Sequence, residues 1–333
     1  MKDVFTLISS YDALPLSVVC IRPQGRPRAV VQFAHGMCGC KERFLPVMEF
    51  LAENGYACVA NDHRGHGGSV LSLDDLGYMY EGNWKALVSD MRQITEWALK
   101  EFDGLSLILL GHSMGSLAVR TYVKFHDPSV AGLIVCGSPS HDPLSVFGRF
   151  LTRCLCAFGL GRMRMTFLQE MTSRRYDRKF RGEGKQAWTC SDPEVRKAFA
   201  ENPLCNFRFT ANASYALLSM MHETYSTKGW TVNNPDLPVL FLSGEDDPCI
   251  ISRKHLEDAV MKMKEAGYGN IKLITYPGMR HEILNEKDKM SVWKDILSFL
   301  ALLPTCSPLR MDGREERSDR LIQRSLTPAS QAF

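Results

Sequence analysis

An apolar run, Leu107-Ile108-Leu109-Leu110, leads straight into Gly111-His112-Ser113-Met114-Gly115, and an apolar helical pattern follows through Leu117, Ala118, Val119 and Tyr122. A buried strand, a G-x-S-x-G turn and a helix in that order severely restrict what the chain can fold into. The serine sits at the tip of a sharp bend, where a strained backbone aims its hydroxyl away from the sheet. Small residues on both flanks allow the helix to pack close to the strand. Ser113 is therefore the first candidate nucleophile.

The rest of the chain supplies the sheet that such a turn requires. Val4 to Ile8 and Leu16 to Ile21 read as a hairpin. Ala29 to Phe33, Tyr56 to Ala60, Leu107 to Leu110 and Leu133 to Val135 read as strands buried on both faces. Helical patterns separate them at Phe44 to Ala52, Trp84 to Phe102 and Ser116 to Phe125. The rhythm stops at Ser138-Pro139 and resumes at Leu237-Pro238. It continues with a strand Val239 to Leu242, a helix Arg253 to Lys264, a strand Ile271 to Tyr276 and a helix Ser291 to Leu303. The pattern predicts an α/β fold, a mostly parallel doubly wound sheet with a helical cap inserted after the sixth strand. Core residues span 1–137 and 237–303, the cap spans 138–236, and 304–333 reads as a disordered tail.

A serine hydroxyl needs a base in hydrogen-bond reach and a carboxylate to orient that base. Both partners follow strands, where a rigid sheet positions loop residues. Glu245-Asp246-Asp247-Pro248 follows one strand and Met279-Arg280-His281-Glu282 follows the next. His281 is the candidate base. Spacing does not separate Glu245, Asp246 and Asp247 as its partner. His112, fixed on the bend beside the serine, is read as packing there. Two backbone N–H groups should face the developing oxyanion: Met114, next to the serine, and Met37, aimed inward by Gly36 in the loop after the third strand. The block Asp62-His63-Arg64-Gly65-His66-Gly67-Gly68-Ser69 lacks the G-K-[ST] ending of a phosphate loop and reads as a structural turn in which Asp62 and Arg64 bond nearby backbone.

Bulk properties exclude several classes. A net charge of +3 over 333 residues offers no reason to expect a nucleic-acid partner. No stretch approaches the ~18 apolar residues of a membrane span, and Met1 to Ser10 carries no export signal. Eleven cysteines without such a signal suit reduced thiols in the cytoplasm. Cys38-Gly39-Cys40 and Cys154-Leu155-Cys156 lack metal-ligand spacing, so no metal is expected. Cys38, Cys40 and Cys249, near the candidate loops, offer a route for thiol reagents, although a buried cysteine acting as a small apolar residue is the commoner case.

His35-Gly36-Met37, the run Asn61 to Ser69 and Gly111 to Gly115 resemble signature blocks of monoacylglycerol lipases and lysophospholipases. Ser243 to Pro248 and Pro277 to Glu286 resemble the acid and histidine blocks of the same branch of the α/β-hydrolase superfamily, grouped with S33 serine aminopeptidases, particularly its bacterial form. The resemblance covers residues 10–303. It implies the α/β-hydrolase fold, Asp247 as the acid, and cofactor-free hydrolysis of single-chain glycerolipid esters. One departure is Ser116, where many relatives carry a second glycine.

In families of this kind the insertion is the least constrained region, so the resemblance says least where it implies that substrate choice is made. Between Arg149 and Lys185 the insertion carries Arg149, Arg153, Arg162, Arg164, Arg174, Arg175, Arg178, Lys179, Arg181 and Lys185 against Glu170, Asp177 and Glu183, an excess of seven positive charges. Phe147, Phe150, Met163 and Phe167 are interleaved as candidate substrate contacts. Such a cap suits an acyl chain or an anionic membrane surface; the plainer account is a solvated basic face on ordinary helices. The expected protein is a cytoplasmic serine hydrolase of carboxylic esters, able to lie at a membrane periphery, with no obligate protein partner. Its rivals are a small-ester carboxylesterase, an aminopeptidase and a binding protein on the same fold. An aminopeptidase needs an acid in the cap to hold the substrate amine, with Glu170, Asp177, Glu183, Asp192, Glu194, Glu201 and Glu223 as candidates.

Overall fold

A computed structural model describes residues 1–305; the expected tail lies outside them from residue 306 onward. β1 (Lys2–Ile8) and β2 (Pro15–Ile21) form the antiparallel hairpin. Then come β3 (Val30–Ala34), α1 (Leu45–Glu53), β4 (Ala57–Asn61), α2 (Asn83–Glu101), β5 (Leu107–His112), α3 (Met114–His126) and β6 (Gly132–Cys136). Four helices intervene: α4 (Pro143–Ala157), α5 (Thr166–Asp177), α6 (Pro193–Glu201) and α7 (Ala211–Tyr225). The chain returns to the sheet with β7 (Val239–Gly244), α8 (Arg253–Ala266), β8 (Ile271–Tyr276) and α9 (Lys289–Ala301). The sheet order is β1-β2-β4-β3-β5-β6-β7-β8, with β3 to β8 parallel and the hairpin antiparallel on the β4 side.

Continuous apolar runs make the central strands because both faces of a parallel sheet are covered. With a period of two, Leu107 and Leu109 of β5, Leu133 and Val135 of β6, and Val239 and Phe241 of β7 enter one core with α2, α3 and α8. Ile108 and Leu110, Ile134 and Cys136, and Leu240 and Leu242 enter the other with α1 and α9. A central leucine such as Leu109, fully buried, contributes about 2–5 kcal/mol against alanine. The loops bearing the candidate residues leave the C-terminal ends of β3, β5, β7 and β8, so this doubly packed sheet sets their relative positions.

One helix of the insertion, α7, is part of that frame. Ala213, Ala216 and Met220 of α7 are fully buried in the same core as α2 and α3. The Thr224 and Thr121 hydroxyls lie 2.7 Å apart, and the Lys124 ammonium, buried on α3, meets the Glu223 carboxylate at 2.5 Å. Apolar pattern alone did not distinguish α7 from the surface helices before it.

Candidate active site

Ser113 stands between β5 and α3 with φ 55° and ψ −120°, a region that costs a non-glycine residue about 1–3 kcal/mol. Its N–H donates to the Cys136 carbonyl (3.0 Å), tying the bend to β6. The Ser116 hydroxyl donates to the Ser113 carbonyl at 2.6 Å, so the residue that departs from the family pattern braces the turn. Gly115 has no room for a side chain: a Cβ there would run into the carbonyls of Ala34 and His35. That close approach brings the loop after β3 against the serine, and a Cβ on Gly36 would lie 3.1 Å from that of Ser113.

The Met37 and Met114 N–H groups find no acceptor among the described residues. For Met114 this follows from its place as the first residue of α3, where helix amides lack an internal partner. The loop before Met37 is held by a histidine of fixed tautomer. The His63 N–H donates to His35 Nε2 (2.9 Å), so the proton sits on Nδ1, which donates to the Gly36 carbonyl (2.8 Å). Burial keeps that ring neutral, its pKa lowered to about 4. At the far end of the loop the Asp62 carboxylate accepts from the Lys41 N–H and ammonium, each at 2.7 Å, and from the Gly68 N–H at 2.8 Å. Arg64 differs from expectation. Its guanidinium is fully buried and pairs mainly with the carboxylates of Asp90 (2.8 Å) and Asp12 (2.9 Å) rather than with backbone. A buried guanidinium requires opposite charge, which sequence spacing did not reveal.

The acidic cluster is resolved by geometry. The Asp247 carboxylate, buried, accepts from His281 Nδ1 (2.8 Å) and from the Cys249 N–H (2.8 Å). Asp246 pairs with Lys179, and Glu245 accepts from the Thr275 hydroxyl. With Nδ1–H held by the carboxylate, Nε2 of His281 presents its lone pair as a base. Burial opposes charge on this ring, but the Asp247 carboxylate outweighs it, and the pKa lies well above the ordinary value. His112, buried, bonds the His281 carbonyl through Nε2 (3.0 Å), so the serine bend and the histidine loop lie side by side.

The chain matches the hydrolase family described as serine aminopeptidase, S33, over residues 25–288. It belongs to that family. It is similar to a monoacylglycerol lipase of Mycolicibacterium smegmatis, 24% identical over 284 residues that make up 84% of this chain and 90% of that protein. It is also similar to a non-heme haloperoxidase of Rhodococcus erythropolis, 25% identical over 290 residues, 83% of this chain and 92% of that protein. A thermostable carboxyl esterase from Bacillus coagulans shares the fold with a TM-score of 0.83 at 24% identity, covering 90% of this chain and 98% of that one. With its eight-stranded sheet, the protein is an α/β-hydrolase.

In this hydrolase the cap residues expected to contact substrate stand in solvent. Phe147, Phe150, Met163 and Phe167 are between 42% and 78% exposed. Two other aromatic side chains of the insertion reach the acid–histidine pair. The Trp188 ring lies 5.2 Å from that of His281, and the Tyr176 ring lies 5.1 Å from Trp188. Both fall in a polar, arginine-rich stretch, and a tryptophan amid such residues was the one signal the sequence offered.

Asp247, Cys249 and His281 are the one group among the described residues whose ligand atoms gather closely enough for a metal ion, within 4.8 Å. The hydrogen bond between two of them accounts for that closeness. The Cys249 thiol is pushed up to about 11 and that of Cys38 to about 12, both by burial, so neither is a ready nucleophile. Cys40, also buried, lies with its sulfur 3.5 Å from that of Cys205, joining the Met37 loop to the insertion. Among the described residues no helix is long and apolar enough to cross a membrane.

Proposed function

We propose that the protein is a serine hydrolase that cleaves carboxylic esters of single-chain glycerolipids, monoacylglycerols or lysophospholipids, through an acyl-enzyme. The observation that carries this reading is the buried 2.8 Å pairing of Asp247 with His281 Nδ1 beside a strained serine bend. Ser113 attacks the ester carbonyl while His281 Nε2 takes its proton, and the Met37 and Met114 N–H groups receive the oxyanion. His281 returns the proton to the departing alcohol oxygen, water adds to the acyl-enzyme by the same route, and the fatty acid leaves. The likeness to a monoacylglycerol lipase supports the choice of ester.

An aminopeptidase fits less well. Glu183 is taken by Arg280, Glu223 by Lys124, Glu170 by Arg174 and Arg208, and Asp177 by the N–H groups of Gln186 and Trp188. Asp192 caps α6, whose Glu194 and Glu201 are exposed. No candidate acid is left both unengaged and buried to hold a substrate amine.

A membrane-facing role for the cap is the second part of the proposal. Phe147 and Phe150 on α4, Phe158 just past its end and Phe167 on α5 are exposed, apolar side chains that suit contact with lipid. Arg153 and Arg178 of the same stretch have no ion pair among the described residues, which suits anionic lipid.

The test is hydrolysis of a panel of monoacylglycerols, lysophospholipids and short-chain esters by the wild type and by Ser113→Ala. The expected result is turnover lost in the variant and greatest on the single-chain lipids. It should rise with pH through the elevated His281 pKa, since only the neutral ring accepts the serine proton. Release of amino acids from peptides without ester cleavage would contradict the reading.

A further inference from the structure

The segment carrying Trp188 is fastened to the histidine loop. Arg280, immediately before His281 and 8% exposed, reaches across with its guanidinium. It donates to the Ala187 carbonyl (2.6 Å), takes both carboxylate oxygens of Glu183 (2.8 Å each) and lies 3.9 Å from the Phe180 ring centre. On the other side of the same loop the Glu282 N–H donates to the Thr189 carbonyl at 2.7 Å. The buried Glu286 carboxylate accepts from the Ser191 N–H (2.8 Å), the Ser191 hydroxyl and the Arg280 N–H (3.0 Å).

Trp188 is fixed within this clamp. Its backbone N–H donates to Asp177 (3.2 Å), its indole N–H donates to the Ser173 hydroxyl (3.1 Å), and Tyr176 packs on its ring. Two rings flank His281 among the described residues. One is His112, buried and tied into the serine bend; the other is Trp188, half-buried.

We infer that Trp188 is the fixed wall of the subsite for the departing alcohol and limits the bulk of that alcohol. The inference rests on the esterase reading above. Its physical basis is the path of the proton. His281 Nε2 must reach the alkoxy oxygen to protonate it as the carbon–oxygen bond breaks, so the alcohol lies beside the imidazole and the acyl chain lies on the opposite side of the carbonyl. A ring packed on the imidazole therefore meets the alcohol first. Because the clamp binds the wall to the base itself, the subsite keeps one width however the outer cap helices move.

The test compares kcat/KM for esters of one fatty acid with methyl, glyceryl and bulky branched alcohols, in the wild type, Trp188→Ala and Trp188→Phe. Trp188→Ala should raise the ratio of bulky-alcohol ester to methyl ester by roughly tenfold, and Trp188→Phe should shift it less in the same direction. A parallel series of methyl esters of increasing acyl length should keep its wild-type ranking. A changed acyl ranking with an unchanged alcohol ratio would overturn the inference, placing Trp188 on the acyl side. An equal fall on every ester would overturn it too, leaving Trp188 as a support for His281. Should Trp188→Ala not fold, Trp188→Phe decides the matter by the same ratio. A wild type that hydrolyses no ester at all would instead remove the underlying esterase reading.

Discussion

Two parts of one insertion behave oppositely. Residues 180–191, with no regular helix beyond a single turn, are bonded to the histidine loop through Arg280, Glu282 and Glu286. α4, capped by Asp142, and the start of α5 present Phe147, Phe150, Phe167 and, just past α4, Phe158 to solvent. Regularity thus says little about which part is integral to the site. The irregular segment is held by side-chain bonds to a catalytic-loop candidate, and the regular helices expose their apolar faces. The segment beside the base is thus bonded to its loop, while the exposed apolar surface lies on the helices before it.

The largest effect is expected where the clamp is cut. Arg280→Ala strips Phe180 and the Ala187 carbonyl of the guanidinium, leaves the part-exposed Glu183 with Arg196 alone, and should destabilise the fold by about 2 kcal/mol, lowering Tm by several degrees in thermal unfolding. It should also relax discrimination between alcohols as Trp188→Ala does, because the wall then loses its anchor. Arg280→Lys, which cannot grip Glu183 with two parallel N–H groups, should restore only part of either. An unchanged melting temperature would mean that the segment is held elsewhere.

The smallest effect on stability is expected on the bare side. Phe150→Ser combined with Phe167→Ser should change stability by less than about 0.5 kcal/mol per site, since both side chains already lie in water. Sedimentation with vesicles containing phosphatidylglycerol should nonetheless show weaker binding. Charge reversal at Arg174 and Arg175 should weaken that binding less than removal of the phenylalanines, because Arg174 pairs with Glu170 and Arg175 with Asp142. Vesicle binding equal to wild type would make α4 and α5 ordinary surface helices.

The same contrast explains what was legible in the sequence. Strand runs such as Leu107 to Leu110, and the turn residues after them, carry local patterns that survive folding, so β5, Ser113 and the loops of Asp247 and His281 were readable. Asp247 was separable from Asp246 only by resemblance, since adjacent carboxylates differ by where they point and not by spacing. Trp188, Arg280 and Glu286 act through contacts between segments about 90 residues apart, for which neither periodicity nor motif exists. The exposed phenylalanines were legible as apolar, but whether an apolar helical face is covered depends on what lies opposite it. Arg64 shows the same limit in the core, where its partners come from Asp12 and Asp90.

The most direct test of the whole account is covalent labelling with a fluorescent fluorophosphonate, comparing the wild type with Ser113→Ala and locating the adduct by peptide mass. The account predicts one modified residue, Ser113, with labelling abolished in the variant and slowed in Asp247→Asn, whose His281 loses the carboxylate that orients it. A folded wild type that stays unlabelled even with monoacylglycerol vesicles present, or label that persists in Ser113→Ala, would contradict it.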